Sequence, residues 1–192
     1  LGLTQHLDAE IPIYGLQSPA ILESGKGAQS IEELADRYVR EIRTVQAHGP
    51  YRLFGWSLGG VIAHAMAVQL ESVGESVSTL TLVDSVREID LTVFASEMGD
   101  VLGAAGIDIA DPADFENFSL DQAAKLSDAM NATEAGLSAE DIARMFAFAA
   151  KSPHLINSYV PRTFAGDVLF FSAEVEHPKD EDAALTWQSV VD

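Results

Sequence analysis

Residues 50–60 (Pro-Tyr-Arg-Leu-Phe-Gly-Trp-Ser-Leu-Gly-Gly) constrain this chain more than any other stretch. A short apolar run, Tyr51 to Trp56, leads into Gly55-x-Ser57-x-Gly59, and a helix-like stretch from about Leu58 to Val73 follows at once. A strand passing so abruptly into a helix needs a tight turn, with Ser57 at its tip. Such a turn holds the serine in a sparsely populated backbone conformation, at a cost of about 1–3 kcal/mol. Gly55 and Gly59 are expected where neighbouring chain comes close on both sides and a Cβ would clash. The first amides of the helix then face the space beside Ser57, where an oxyanion would form.

The flanking segments extend this unit into a layered fold. Ile11 to Leu16 reads as a short strand with Pro12 near its start. Ser30-x-x-Glu33 is a capping box, followed by apolar Ile31, Leu34, Ala35, Tyr38, Ile42 and Val45, an amphipathic helix ending near His48-Gly49-Pro50. The helix after Ser57 closes at Gly74, and Val77 to Val83 is a largely apolar strand. Strand, helix, strand, helix, strand predicts an α/β fold with a mostly parallel sheet and flanking helices.

After Asp84 the pattern changes. Residues 90–158 carry no clear strand but several helical stretches, two opened by caps of their own, Ser119-x-x-Gln122 and Ser138-x-x-Asp141. Ile142, Met145, Phe146 and Ala149 share one face of the second. Strand character returns at Asp167 to Ser172. The expectation is one domain over residues 1–192, its core in 1–88 and 166–192, with a helical lid over about 89–165. The alternative is that these helices pack on the sheet as ordinary core.

A serine hydroxyl is not ionised at neutral pH, so Ser57 as nucleophile requires a base, and the base an orienting acid. Asp84 ends the run Thr-Leu-Val-Asp at the close of the strand after the nucleophile helix, which suits the acid; it also suits a turn aspartate capping Ser85 and Val86. Glu174, Glu176 and Asp180 are rivals after the next strand. Of the five histidines, His6 and His48 precede the nucleophile. His64 lies seven residues beyond Ser57 on the same helix, about 10 Å along its axis, and is expected to be a packed or half-exposed imidazole that does not reach the serine oxygen. His154 falls in the helical insertion and reads as a lid residue; His177, in the loop after the last strand, is the one not dismissed. Chain order places the base after one more strand, so the catalytic histidine is expected to be missing from these residues and the chain to be inactive by itself. The oxyanion donor legible here is the Leu58 backbone N–H, directly after the serine.

Composition narrows the field. Net charge is −19, which disfavours nucleic acid and anionic membrane surfaces as partners. Glu88 to Asp141 holds thirteen acids and one base, a balance of −12. Glu174 to Asp192 holds six acids and one base, a further −5. Both read first as solvated surface. The absence of cysteine excludes disulfides, thiol catalysis and cysteine metal sites. No apolar run approaches a membrane span and no signal pattern is visible, so a cytoplasmic protein is expected.

The segments quoted above resemble the integrated (type I) thioesterase domains of non-ribosomal peptide and polyketide synthases, members of the α/β-hydrolase superfamily. The resemblance rests on Pro12-x-Tyr14-Gly15-Leu16-Gln17, Ser30-Ile31-Glu32-Glu33-Leu34-Ala35-x-x-Tyr38, Gly49-Pro50-Tyr51-Arg52-Leu53-x-Gly55-Trp56-Ser57-x-Gly59-Gly60 and Leu82-Val83-Asp84-Ser85. Trp56 before the serine and Gly59-Gly60 after it resemble the chain-terminating class rather than the stand-alone editing enzymes.

The resemblance implies an α/β-hydrolase fold with a helical lid, Ser57 as nucleophile and Asp84 as acid. It implies a substrate carried on the phosphopantetheine of an acyl or peptidyl carrier domain, with no cofactor or metal bound by the domain itself. The family's upstream oxyanion loop and downstream histidine have no counterpart here, so the chain is expected to be truncated at both ends, with exposed sheet edges that favour self-association. A small-ester esterase of the same fold, a discrete editing thioesterase and a non-catalytic docking domain are the competing readings.

Overall fold

The computed structural model describes residues 10–18, 28–109, 115, 118–129, 137–173 and 183–191. The elements in chain order are α1 (Ile31–Val45), β1 (Tyr51–Trp56), α2 (Leu58–Ser72), β2 (Val77–Val83), α3 (Leu91–Ala104), α4 (Leu120–Ala129), α5 (Ala139–Ser158), β3 (Val168–Phe171) and α6 (Ala183–Gln188). The three strands form a parallel sheet in the order β1-β2-β3. Parallel strands joined through helices are the fold class expected, the α/β-hydrolase fold.

Register assigns the two faces of the sheet. Leu53, Leu80 and Val168 lie side by side, as do Gly55, Leu82 and Phe170. These two rows join the cluster formed with α1 and α2, where Ile31, Leu34, Val61, Leu80 and Leu82 are all but inaccessible. Residues alternate across a strand, so Phe54, Thr81 and Leu169 form a row on the opposite face, with Trp56, Val83 and Phe171 beside it. That face is open, with Trp56 68% and Phe54 56% exposed.

Helix α2 is buried almost all round, from Gly60 to Val68 and at Leu70, as a central helix between a sheet and another helix must be. It ends where expected, at Gly74 with φ +80°. Gly74 N–H donates to Glu71 O and Glu75 N–H to Leu70 O, a Schellman closure that satisfies the last carbonyls. Helix α1 is capped by Ser30, whose Oγ accepts from Glu33 N–H. The Glu33 carboxylate reaches one residue further back than a capping box predicts, onto Gln29 N–H. Val45, expected on the buried face, is exposed.

The strand expected at Ile11 to Leu16 does not form. Residues 12–18 have no regular structure, and Ile11, Ile13, Tyr14 and Leu16 are exposed. Alternating apolar residues favour an extended chain, but a strand exists only where a neighbour completes its hydrogen bonds. None of the strand pairings involves this segment, and Pro12 contributes no donor.

The described residues of 91–158 hold three helices joined by turns and irregular segments and form a second core: Leu102, Ile107, Phe115, Phe118, Ala123, Leu126, Ile142 and Phe146. Phe118 stacks on Phe146 at 4.2 Å between centroids. Both predicted capping boxes form, at Ser119–Gln122 and at Ser138–Asp141. Helix α3 ends in a second Schellman closure at Gly106, φ +68°. The longest helix, α5, belongs to both cores: Ile142 and Phe146 to the helical one, Leu155 and Ile156 to the sheet core, with Pro153 between.

The chain then returns through β3 to α6. Trp187 of α6 and the following Val190 are buried in the sheet core. Phe164 and Val191 form an isolated bridge alongside.

Candidate active site

Serine is a preferred helix N-cap, and Ser57 occupies the N-cap position of α2, so capping is its ordinary explanation. The geometry excludes it. Ser30 and Ser138 sit in extended backbone (φ −150° and −83°, ψ 164° for both) and cap with their hydroxyls. Ser57 has φ 51° and ψ −125°, and its side chain makes no cap bond. Its N–H donates instead to Val83 O at 2.8 Å, and its carbonyl accepts from Gly60 N–H at 2.9 Å. The hydroxyl is thereby lifted to the surface at the carboxyl end of β1. As the first residue of α2, Leu58 has a backbone N–H with no acceptor inside the helix.

The tight turn depends on two glycines, of which the sequence identifies one. A Cβ on Gly55 would stand 2.1 Å from Gly59 O and 2.4 Å from Gly60 N. Gly59, expected to be equally confined, has open space where its Cβ would be; it is Gly60 that is wedged, with Ser85 Oγ 1.9 Å from the same point. The misplacement has a simple cause. Ser85 lies on the turn after β2, and its approach to α2 exists only once β1 and β2 are paired.

Ser57 shares a positive φ with one other non-glycine residue among those described: Asp84, φ 44°. Asp84 closes β2 beside the serine turn. Its N–H donates to Phe171 O at 2.8 Å, and Oδ1 accepts from Ala173 N–H at 2.6 Å. This carboxylate bond crosses to the end of β3 rather than onto Ser85 or Val86. Each left-handed non-glycine residue is strained by about 1–3 kcal/mol. Both lie at the carboxyl ends of adjacent parallel strands, where ligands bind in open α/β sheets.

The histidines divide as follows. His48 is exposed and its Nδ1 lies 3.0 Å from Glu75 Oε1. His154 is exposed on α5. His64 is wholly buried, as expected of a packed imidazole, with Nδ1 3.2 Å from the Tyr159 hydroxyl and its ring 4.9 Å from that of Trp187. Burial pulls its pKa down to about 4, with the Arg87 charge adding to the effect and the Val190 backbone opposing it. Its ring contacts are with Tyr159 and Trp187. His6, His177, Glu174, Glu176 and Asp180 lie outside the described residues.

One contact carried no sequence signal. Trp187 Nε1 donates to Ser85 O at 2.8 Å in the interior, so α6 closes directly against the turn that carries Asp84. No group of acids and histidines among the described residues is arranged to hold a metal. No described helix is long and apolar enough to cross a membrane.

Comparisons with known proteins identify the family. The thioesterase domain family profile matches residues 2–191. A dimodular nonribosomal peptide synthase of Bacillus subtilis is 33% identical over 183 residues, 91% of this chain. Malpinin synthetase of Mortierella alpina is 46% identical over 84 residues, 44% of the chain. A non-reducing polyketide synthase of Pseudevernia furfuracea is 39% identical over 101 residues, 53% of the chain. The chain spans 8%, 1% and 5% of these relatives' lengths.

Among solved structures, the four-domain nonribosomal peptide synthetase holo-AB3403 matches with a TM-score of 0.67 at 24% identity, over 92% of this chain and 14% of that one. A covalent complex of the NocB thioesterase domain with a fluorophosphonate nocardicin G analog matches with a TM-score of 0.53 at 27% identity, over 88% and 62%. The chain belongs to the thioesterase domain family, in the form carried by non-ribosomal peptide and polyketide synthases.

Proposed function

We propose that this chain is a serine thioesterase that releases an acyl or peptidyl chain from the phosphopantetheine thioester of a carrier domain. The observation that carries the reading is the backbone of Ser57. A serine at a helix N-cap that adopts φ 51° and forgoes the cap incurs strain that only exposure of its hydroxyl explains.

In the proposed cycle Ser57 Oγ attacks the thioester carbonyl carbon as a base takes its proton. The C–S bond breaks, the thiol leaves with that proton, and an acyl-serine remains. Water, or an amine or hydroxyl of the chain itself, then attacks the ester carbonyl and frees Ser57, giving an acid or a ring. Leu58 N–H stabilises the oxyanion of each tetrahedral intermediate, a contact worth about 3–4 kcal/mol. Asp84 orients the base and stabilises its imidazolium. Gly55, Trp56, Gly59 and Gly60 form the turn that keeps Ser57 and Leu58 in place.

The base is not His64, which is buried, and His177 is the candidate within the chain. The helices of residues 91–158 act as the lid, and their exclusion of water decides between hydrolysis and cyclisation.

The test is fluorophosphonate labelling located by peptide mass spectrometry, with Ser57→Ala and His177→Ala as comparisons. The NocB domain's covalent fluorophosphonate complex makes this probe the natural one. Labelling confined to Ser57 and lost in Ser57→Ala supports the reading, and its loss in His177→Ala identifies the base. Faster turnover of simple esters than of carrier-bound acyl thioesters would overturn the substrate class. Absence of labelling, both here and in a longer polypeptide containing the domain, would favour a docking module.

A further inference from the structure

A buried indole needs an acceptor, so a hydrogen bond from Trp187 is unremarkable in itself; the acceptor it has is informative. Ser85 O belongs to the residue directly after Asp84, the strained end of β2. Ser85 is fully buried, its hydroxyl donates to Val83 O at 3.1 Å, and its side chain fills the space left by the missing Cβ of Gly60. Gly60 N–H in turn bonds Ser57 O. One line of contacts therefore runs from α6 through Ser85 to both left-handed residues.

The clamp is braced from outside. Arg87 lies 6.0 Å from the Trp187 ring centroid, and its Nη1 donates to Thr186 O and, at 3.0 Å, to Ser189 Oγ. His64 packs against the same indole.

A left-handed aspartate persists only when its surroundings over-determine it. Asp84 is held through its N–H by Phe171 O and through Oδ1 by Ala173 N–H. These two bonds lie on the β3 side, while the following peptide is held by Trp187. We infer that Trp187 is a positioning residue, whose indole N–H fixes the Asp84–Ser85 peptide and with it the direction of the Asp84 carboxylate. The inference rests on the reading of Asp84 as the orienting acid, and it makes α6 part of the machinery.

The test reads the carboxylate rather than turnover. In the 192-residue chain labelled with 15N and 13C, the Ala173 amide and the Asp84 carboxyl carbon report the Ala173–Asp84 bond, and the Ala173 amide in Asp84→Ala, which has no acceptor, calibrates its loss. Trp187→Phe keeps a ring against His64 and removes the donor. It is expected to shift both signals towards a weakened bond and to speed Ala173 amide exchange about tenfold, the factor that one hydrogen bond is worth. Amides of the β1–β2 ladder should not change.

Arg87→Met, which loosens the brace and leaves the indole intact, should move the same signals less. Unshifted Ala173 and Asp84 signals in a folded Trp187→Phe chain would overturn the inference. So would a shift spread evenly over the sheet. If Trp187→Phe does not fold, unchanged signals in Arg87→Met decide against it, and shifted ones support it.

Turnover of carrier-bound thioester by the intact polypeptide separates the two claims. Asp84→Asn without effect on release would sink the role of Asp84 while leaving the clamp geometry standing. Loss of release in Asp84→Asn, with unmoved signals in Trp187→Phe, would sink the clamp alone.

Discussion

The sheet with its two helices and the helical block of residues 91–158 are built on different principles. In the first, strands and helices press so closely that Gly55 and Gly60 touch backbone or buried side chain where a Cβ would be. Both strained non-glycine residues, Ser57 and Asp84, lie there. In the second, helices are fixed by local devices, two capping boxes and a Schellman closure. They share a core with stacked aromatic rings, Phe118 on Phe146, and Gly99 and Gly103 of α3 have open space where a Cβ would be. The difference teaches that the sheet region holds the geometry needed for chemistry, while the block contributes shape with little strain.

The sharpest way to break the comparison is to crowd the turn. Gly55→Ala places a Cβ against the Gly59 carbonyl, and about 4 kcal/mol or more of stability should be lost. Thermal unfolding measures this; a loss under 1 kcal/mol would mean that the turn is looser than described. Phe146→Ala should cost about 3–5 kcal/mol but confine its damage. Hydrogen exchange should quicken through α3 and α4, with β1 and β2 amides still protected. Equal loss of protection in both regions would show a single cooperative unit.

Acid should separate the regions further. Unfolded, His64 binds a proton near its ordinary pKa of 6.5; folded, it resists until about 4. The unfolded state therefore takes up more protons between those values. His64 contributes fully above pH 6.5, and its contribution is lost as pH falls towards 4, by about 3 kcal/mol at most. Urea titrations across that window should show the slope, and His64→Leu should flatten it.

The smallest effect is opposite in sign. Gly99→Ala, in a helix with room for the methyl, should stabilise by up to about 1 kcal/mol. A destabilisation would mean that the block is as tightly packed as the sheet.

What was legible in the sequence follows the same division. β1 and β2 were readable to the residue, because their apolar runs end sharply at turn chemistry. The block's helices were readable at Ser119 and Ser138, because a cap is a contact between near neighbours. The roles of Gly60, Ser85 and Trp187 were not readable, since each depends on segments brought together by the sheet. Ile11 to Leu16 misled for the same reason: its pattern suits a strand, but pattern supplies no partner. The strained backbone of Ser57 was legible from the strand-turn-helix pattern, whereas the positive φ of Asp84 emerged only in three dimensions.

Helix α5 sets a rule for anyone who would exchange the block between related domains. Its first half belongs to the cluster that contains Phe118 and Leu126, and its last turns to the cluster that contains Ile31 and Val61. A cut at the loops on either side would carry Leu155 and Ile156 away and leave a hole beside α2. A chimera should instead be joined inside α5, around Ser152–Pro153, where the missing proline N–H already interrupts the ladder. The natural seam of this molecule runs through the middle of a helix.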